Sequence, residues 1–265
     1  MIIYKSEAEI LAIKRSCQIV AMILSELGAM IKPGIQTKDL DEFAEKRTRD
    51  MGAIPAFKGY RGYPASLCTS INEEIVHGIP SSRTLRNGDI LSLDFGVINE
   101  GFYGDAAITY PVGEITPLAE RLVAAAKEAF DKGFEQIKVG NRLSDISHAV
   151  QTHVEGQGFS VIRSFVGHGI GFSLHEEPQI PNFGPPGRGP KLKSGMVLAF
   201  EPMISIGDWE VEILSDNWTA VTKDRSLSAH YEHTVALTKE GAIILSQLDE
   251  EGKASYAKES QHVEG

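Results

Sequence analysis

Four acidic residues stand at the edges of apolar runs that are typical of β-strands, two in each half of the chain. They are Asp94, Asp105, Glu201 and Glu232. A carboxylate inside such a strand is buried, and burying it without a partner costs several kcal/mol or forces protonation. For one acid alone, a local hydrogen-bonded cage is an equally good interpretation. For all four together, the sequence predicts a shared metal site.

Three histidines lie in or close to glycine-containing segments that read as loops. His168 stands in Gly167–Gly171, His175 follows seven residues later, and His77 precedes Gly78. A lone histidine in an apolar context is usually a core residue with satisfied hydrogen bonds, but glycine lets the backbone approach a ligand closely. Three such histidines favour a functional site.

The elements that must position these residues follow from capping patterns and hydrophobic spacing. Ser6 with Glu9 is a capping-box pattern ahead of apolar residues at helical spacing as far as Ile31. Three more helices are predicted: one capped by Thr37, one that opens at Thr116–Pro117, and one that opens at Ser144 or Asp145. Strands are predicted at 89–97 and 102–112 (a hairpin), 196–206 and 234–237, and the proline-rich segment 178–190 predicts a loop.

The two halves of the chain repeat one another. Residues 31–40 resemble residues 137–146 at an offset of 106, and residues 85–94 resemble residues 192–201 at an offset of 107. The repeat predicts two halves with the order helix, helix, strand and acid-tipped strand, packed about a pseudo-twofold axis. Asp94 and Glu201 would then occupy equivalent positions.

Composition narrows the class of protein. The chain has 265 residues, 42% of them hydrophobic, and a formal net charge of −10. A net negative charge argues against non-specific nucleic-acid binding, which needs a basic surface. Two cysteines, no signal-peptide core and no apolar run of membrane-spanning length predict a cytoplasmic protein.

Longer motifs carry a resemblance to a known family. Asp94, Asp105, His168, Glu201 and Glu232 follow the order of the five metal ligands of the methionine aminopeptidases. The strings that match are Gly59–Pro64, Ser70–Glu73, His77–Pro80, Gly101–Asp105, Gly167–Gly171, Glu201–Met203 and Tyr231–Thr234. The match runs from about residue 4 to residue 247, and the chain is most similar to the short, bacterial-like type I enzymes. It shows neither the zinc-binding N-terminal extension of some eukaryotic forms nor the insertion of type II enzymes.

The resemblance implies an α+β, pita-bread fold: a curved antiparallel β-sheet with helices on its outer face and pseudo-twofold symmetry between two halves. We expect one catalytic domain over residues 1–248 and a polar C-terminal tail over residues 249–265.

The resemblance also implies two divalent metal ions per chain. Asp94 would chelate one ion, His168 and Glu201 would bind the other, and Asp105 and Glu232 would bridge them. An oxygen-rich set with one imidazole suits Co, Mn or Fe, with Zn as a further option. Such ions lower the pKa of bound water, so that hydroxide is available near neutral pH.

Roles for other residues follow from the same resemblance. His77 would contact the scissile-bond nitrogen, His175 would donate to the developing oxyanion, and Glu201 would pass a proton to the leaving amine. The apolar pocket for the first side chain would be formed by Tyr60, Tyr63, Cys68 and Trp218. Two positions depart from the family pattern: Phe57 replaces a small residue or cysteine, and Leu174 replaces an aromatic residue.

The implied function is removal of the N-terminal, initiator methionine from nascent polypeptides when the next residue is small. The implied partner is that N-terminal methionine, with contact to the ribosome, no specific nucleic acid, no membrane and a monomeric state. Alternatives are an Xaa-Pro aminopeptidase or dipeptidase, a creatinase-like hydrolase, and a non-catalytic binding module on the same fold. The first two usually carry a large N-terminal domain, and only 93 residues precede Asp94.

Overall fold

A computed structural model describes residues 1–249 of the protein. The predicted polar tail lies outside the described residues except for its first residue, Asp249. In the described part the α-helices are α1 (Glu7–Met30), α2 (Thr37–Asp50), α3 (Pro117–Phe134) and α4 (Leu143–Gly156). A short 3-10 helix covers Tyr60–Gly62.

The helix starts follow from local hydrogen bonds. At α1 the predicted capping box is confirmed, because Ser6 N–H donates to the Glu9 carboxylate (2.7 Å) and Glu9 N–H donates to the Ser6 hydroxyl (3.3 Å). Thr116 caps α3 as predicted by accepting from Ala119 N–H. Thr37 was wrong as a cap: it is the first helical residue, and its hydroxyl donates to the Ser81 carbonyl.

The start of α4 was also predicted slightly wrongly. The helix begins at Leu143, because the Asp145 carboxylate already accepts from Arg142 N–H (2.7 Å). The Ser144 hydroxyl instead accepts from Arg188 N–H (2.7 Å). The start of α4 therefore holds in place the loop that contains Arg188.

Fifteen strands occur in residues 1–249. They are β1 (Ile54–Pro55), β2 (Leu67–Ile71), β3 (Glu74–Val76), β4 (Ile90–Asn99), β5 (Phe102–Pro111), β6 (Ser160–Val161), β7 (Val166–Gly169), β8 (Glu176–Pro181), β9 (Val197–Phe200), β10 (Met203–Ser205), β11 (Val211–Ile213), β12 (Ala220–Thr222), β13 (Ser228–His230), β14 (Glu232–Leu237) and β15 (Ala242–Ile244). Nine of them form one antiparallel sheet, ordered β1-β4-β5-β14-β9-β7-β8, with β2 on β4 and β15 on β14.

The sheet is arranged about its middle pair, β5 and β14. The predicted hairpin β4–β5 lies on one side, with Glu100 and Gly101 at positive φ in its turn. On the other side, β9 pairs with β14. Asp105 and Glu232 each immediately precede the paired residues Ala106 and His233 at the centre of the β5–β14 ladder. This placement fits the predicted equivalence of the two halves.

Two predicted boundaries were wrong. The predicted strand 196–206 is broken at Glu201–Pro202 into β9 and β10, which belong to different sheets. Proline lacks the N–H that a continuing ladder would need. The predicted loop 178–190 begins later, since its first residues complete β8.

The helices cover the outer face of the sheet in two pairs. Helices α1 and α2 pack on β2 and β4 through a buried cluster that includes Leu24, Leu40 and Phe95. Helices α3 and α4 pack on the second half through a cluster that includes Phe130, Val150 and Phe200. In residues 1–249, no helix is long and apolar enough to cross a membrane.

A buried ion pair joins the start of the chain to the segment that carries His175. Lys5 Nζ contacts the Glu176 carboxylate, and the two side chains are only 1% and 5% exposed. The other carboxylate oxygen accepts from the backbone N–H groups of Phe172 (2.7 Å) and Ser173 (3.1 Å). Lys5 N–H also donates to the Gly195 carbonyl. The pair therefore anchors the loop at the entrance of β8.

We predict that Lys5→Met destabilises the protein by about 3–5 kcal/mol, because it leaves the Glu176 charge buried and unpaired. Urea unfolding measures this change. The matched control is Lys239→Met, which breaks an exposed pair with Glu7 (76% and 86% exposed) and should cost about 1 kcal/mol or less. Equal effects of the two substitutions would contradict the anchoring role.

Candidate metal centre

Strand register places three of the predicted metal ligands on one face of the sheet. Cys68, Asp94, Ala107 and Glu232 are successive partners across β2, β4, β5 and β14. Asp105 lies two residues from Ala107 and so projects from the same face. The small Ala107 side chain leaves open the space between the acids.

Glycine opposite Asp105 makes room for its carboxylate. Gly96 is the strand partner of Asp105. A Cβ at Gly96 would lie 3.3 Å from Asp105 Oδ1 and 2.8 Å from the Phe57 ring. Any larger residue would therefore displace the acid or the pocket wall.

The second half supplies His168 and Glu201. His168 on β7 pairs with Ala199 of β9, and Glu201 follows two residues later. His168 Nε2 lies 3.5 Å from Glu201 Oε1. A Cβ at Gly167 would lie 2.6 Å from the Ala199 carbonyl oxygen, so the glycine here allows β7 to approach the neighbouring strand β9 closely.

Two groups of side chains can each hold a metal ion. One ligand atom from each of Asp105, His168 and Glu232 lies within 4.8 Å of the others, and the same holds for Glu201, His230 and Glu232. Asp94 lies in the same cleft. The structure thus brings together all five residues that were predicted as ligands.

Electrostatics of the site favour a bound cation. Burial and mutual repulsion raise the pKa values of Asp105, Glu201 and Glu232 well above normal, and burial raises the pKa of Asp94 to about 6. Asp94 Oδ1, Asp105 Oδ1 and Glu232 Oε1 are buried without a hydrogen-bond partner. Divalent ions suit this site, because they would both coordinate the oxygens that lack hydrogen-bond partners and offset the repulsion between the carboxylates.

His168 is prepared to act as a neutral ligand. Its Nδ1 lies 3.0 Å from the Gly169 carbonyl oxygen, so Nδ1 carries the proton and the Nε2 lone pair faces Glu201. Burial lowers the pKa of His168 to about 4. A backbone carbonyl that fixes the tautomer is the usual support for a metal-binding imidazole.

Thr234 holds Asp105 in place, and sequence reasoning missed it. The Thr234 hydroxyl accepts from Asp105 N–H (3.2 Å) and donates to the Asp105 carbonyl (2.8 Å). A side chain here replaces the backbone ladder between β5 and β14. The Glu-His-Thr string contained this residue, but nothing local showed that it would reach the other strand.

The predicted substrate residues line the same cleft as the acids. They are Tyr60, Tyr63, Cys68, His77, His175 and Trp218. The two departures from the family pattern, Phe57 and Leu174, also line it and are buried. Val76 and Phe165 complete the apolar wall and were not predicted. Phe165 packs edge-on against His77 at 5.5 Å between ring centroids.

His175 and His77 stand at different places on the rim. His175 stacks on Tyr60, whose hydroxyl lies 2.8 Å from His175 Nδ1. Lost hydration, with nearby His168 and Arg61, lowers the pKa of His175 to about 3. His77 sits at φ 62° between Phe165 and Trp218, and burial lowers its pKa to about 4. Both imidazoles are therefore neutral near pH 7.

His230 is a site residue that the sequence analysis missed. It is 1% exposed, neither ring nitrogen has a hydrogen-bond partner, and Nε2 lies 3.6 Å from Glu201 Oε2. Its position two residues before Glu232 was the available signal, because alternate residues of an extended chain share a face.

The fold and the site define a pita-bread metallopeptidase, and comparison with known proteins identifies the family. The profile of metallopeptidase family M24 matches residues 12–239. The chain therefore belongs to metallopeptidase family M24 and is a peptide hydrolase.

Within the family the chain groups with type I methionine aminopeptidases. It is 52% identical to methionine aminopeptidase 1 of Bacillus subtilis over 94% of this chain and 100% of that protein. A crystal structure of methionine aminopeptidase from Thermotoga maritima has a TM-score of 0.92 at 46% identity and covers 94% of this chain and 100% of that one.

The prolidases share the fold at greater distance. Prolidase from Pyrococcus horikoshii has a TM-score of 0.76 at 22% identity, over 93% of this chain and 64% of that one. At this identity the similarity shows the fold alone. The predicted pita-bread architecture is thereby confirmed.

We predict that Asp94→Asn stabilises the metal-free protein relative to wild type, increasingly as pH rises. Burial raises the folded-state pKa of Asp94 to about 6 from the ordinary value of 3.8 for an aspartate. Between these values the folded protein retains a proton that the unfolded chain has lost, so ionisation at higher pH penalises the folded state. The relative gain should reach about 3 kcal/mol between pH 4 and pH 7.

Unfolding of chelator-treated protein at several pH values measures this difference. Adding a divalent ion should reverse the order of stability, because the ion stabilises the wild-type protein, which binds it, more than the variant that lacks the Asp94 carboxylate. A difference between the two proteins that does not change with pH would contradict the buried-acid interpretation.

Proposed function

We propose that this protein removes N-terminal methionine from polypeptides whose second residue is small, and that it depends on two divalent metal ions. The observation that carries the proposal is the shared cleft, in which four acids and His168 lie beside an apolar aromatic pocket. Three of the acids, Asp94, Asp105 and Glu232, each have a buried oxygen without a hydrogen-bond partner. Relatives that are 44–52% identical to the chain are methionine aminopeptidases, which supports the same substrate.

The proposed ligands are Asp94, Asp105, His168, Glu201 and Glu232. Together, their four carboxylates and one imidazole would hold the two ions. When bound, such ions polarise a peptide carbonyl and make hydroxide available near neutral pH. Co, Mn, Fe and Zn all remain within the chemistry of this donor set.

The apolar pocket would bind the methionine side chain. Tyr63 packs edge-on against Trp218 at 5.1 Å between ring centroids, and Cys68 lies beside Asp94 in the strand register. A flexible, polarisable thioether makes favourable contacts with aromatic rings. Burial raises the pKa of the Cys68 thiol well above normal, so this residue remains an uncharged wall of the pocket.

His175 would stabilise charge that develops on the carbonyl oxygen. Because its imidazole is neutral, only one ring nitrogen carries a proton. We assign the proton of the 2.8 Å hydrogen bond to the Tyr60 hydroxyl, which donates to His175 Nδ1. His175 Nε2 then carries the proton and can donate to the substrate oxygen.

His77 and Glu201 would act on the nitrogen of the scissile bond. The Phe165 and Trp218 rings hold the His77 imidazole from two sides. A neutral His77 can donate to or accept from the substrate nitrogen as the bond breaks. Glu201, whose side chain is only 12% exposed, would pass a proton to the leaving amine.

The setting of this activity is part of the proposal. We infer one catalytic unit over residues 1–248, acting as a monomer in the cytoplasm on nascent chains near the ribosome. The net charge of −10 supports the absence of a specific nucleic-acid partner.

The test is a panel of short peptides that begin with methionine followed by Ala, Gly, Pro or Lys, assayed with each metal and after chelation. We expect methionine release only from the peptides with a small second residue, and only with metal. Glu201→Gln should keep the fold and lower turnover at least about 100-fold, the usual loss when a proton-transfer group is removed. Wild-type turnover in Glu201→Gln would overturn the assignment, and cleavage of Xaa-Pro substrates instead would favour the prolidase alternative.

We predict that Tyr60→Phe lowers kcat about 10-fold with little change in KM. The substitution keeps the ring that stacks on His175 but removes the hydrogen bond that selects its tautomer, which contributes about 1–1.5 kcal/mol. Steady-state kinetics on a methionine-alanine peptide measures the effects on kcat and KM separately. Tyr4→Phe is the matched control, because Tyr4 is exposed and does not line the cleft. A change confined to KM would show that Tyr60 serves only as pocket wall.

A further inference from the structure

We propose that His230 is a sixth protein ligand of the metal centre, joining Glu201 and Glu232 through its Nε2 atom. The proposal rests on the proposed metal dependence and adds a second imidazole to the five ligands inferred above. No sequence motif or resemblance assigned this residue a role.

The first argument is the state of the side chain. His230 is buried at 1% exposure, and neither Nδ1 nor Nε2 has a hydrogen-bond partner. A buried polar group is almost always satisfied, and leaving one unpaired costs about 1–3 kcal/mol. A bound ion would satisfy Nε2 directly.

The second argument is distance. His230 Nε2 lies 3.6 Å from Glu201 Oε2 and 4.0 Å from Glu232 Oε2. Both separations are too long for a hydrogen bond. Two atoms that each lie about 2.1 Å from one ion are themselves roughly 3–4 Å apart. The spacing is therefore that of ligands that share an ion.

The third argument is the parallel with His168. His168 Nε2 lies 3.5 Å from Glu201 Oε1, and His230 Nε2 lies at nearly the same distance from Oε2 of the same carboxylate. Glu201 thus stands between two imidazoles. One of these imidazoles already belongs to the proposed ligand set.

The fourth argument is how firmly the backbone of His230 is held. The Thr109 hydroxyl accepts from His230 N–H (2.9 Å) and donates to the His230 carbonyl (2.8 Å). Thr109 itself is hydrogen-bonded to Ser92 of the neighbouring strand (2.7 Å). Two strands of the main sheet therefore fix the point from which the imidazole projects.

The test counts imidazole ligands in protein loaded with Co²⁺ alone. Each coordinated imidazole contributes its own paramagnetically shifted N–H resonance in the proton spectrum. We expect two such resonances in wild type, and one in each of His168→Gln and His230→Gln. Titration calorimetry of His230→Gln should show Co²⁺ affinity weakened at least about 10-fold for one ion. Removing a residue that only hydrogen-bonds to a metal ligand typically has an effect of this size.

His233→Gln is the matched control. His233 is a buried histidine three residues along, but its ring nitrogens contact the Ser246 hydroxyl (2.8 Å) and the Tyr231 hydroxyl (3.2 Å). This variant should keep both resonances and the wild-type affinity.

The outcomes separate the two proposals. A single wild-type resonance that disappears only in His168→Gln would overturn the role of His230, even if His230→Gln failed to fold. Unchanged Co²⁺ affinity in folded His230→Gln would overturn it as well. A wild-type protein that takes up no Co²⁺ would instead remove the proposed function, and this inference with it.

Discussion

Repulsion among buried carboxylates is the constraint around which this molecule is organised. Ligand atoms of Asp105 and Glu232 lie within 4.8 Å of one another. Two full charges at that distance repel by roughly 3–4 kcal/mol at an effective dielectric constant of about 20. A whole domain is stabilised by only about 5–15 kcal/mol. Four charged acids without a cation would therefore consume much of the stability, so the acids must hold either protons or metal ions.

The sheet is what keeps these acids together despite their repulsion. Adjacent antiparallel strands fix side chains on one face at defined spacings, and slipping by one residue would turn every acid to the other face. The buried faces of helices α1 to α4 stabilise that register from the outside. Small residues complete it, since Ala107 lies between Asp94 and Glu232 and Gly96 lies opposite Asp105. The rigid framework thus holds the acids close together, although repulsion between their charges would otherwise separate them.

Local sequence was sufficient to predict those features that depend on contacts between residues close together in the chain. The capping box at Ser6 and Glu9 and the hairpin around Glu100 and Gly101 are set by neighbouring residues, and both predictions were confirmed. The internal repeat also predicted acids at matching places, and the structure puts Asp94 and Glu201 in one cleft.

Contacts between distant segments could not be predicted in the same way. Thr37 was predicted to be a cap because its type suits one, but Ser81 from another segment uses its hydroxyl. Phe165 and Thr234 reach the site only through pairings that no local pattern encodes. His230 precedes the strand predicted at 234–237. It lies at the end of β13, paired with Met203 of β10, and its backbone contact with Thr109 of β5 places it beside the acids.

The histidines, not the acids, distinguish the two sides of this centre. Asp105 and Glu232 are placed evenly about the middle of the β5–β14 ladder, so the acids alone offer a substrate two similar approaches. His175 with Tyr60 occupies one part of the rim, whereas His77 lies between Phe165 and Trp218. A carbonyl oxygen that gains negative charge requires a hydrogen-bond donor, whereas the nitrogen of the breaking bond requires a proton. In the proposed mechanism, a nearly symmetric cluster of acids would therefore acquire a direction from neutral imidazoles, whose donors would lie at separate points along a bound peptide.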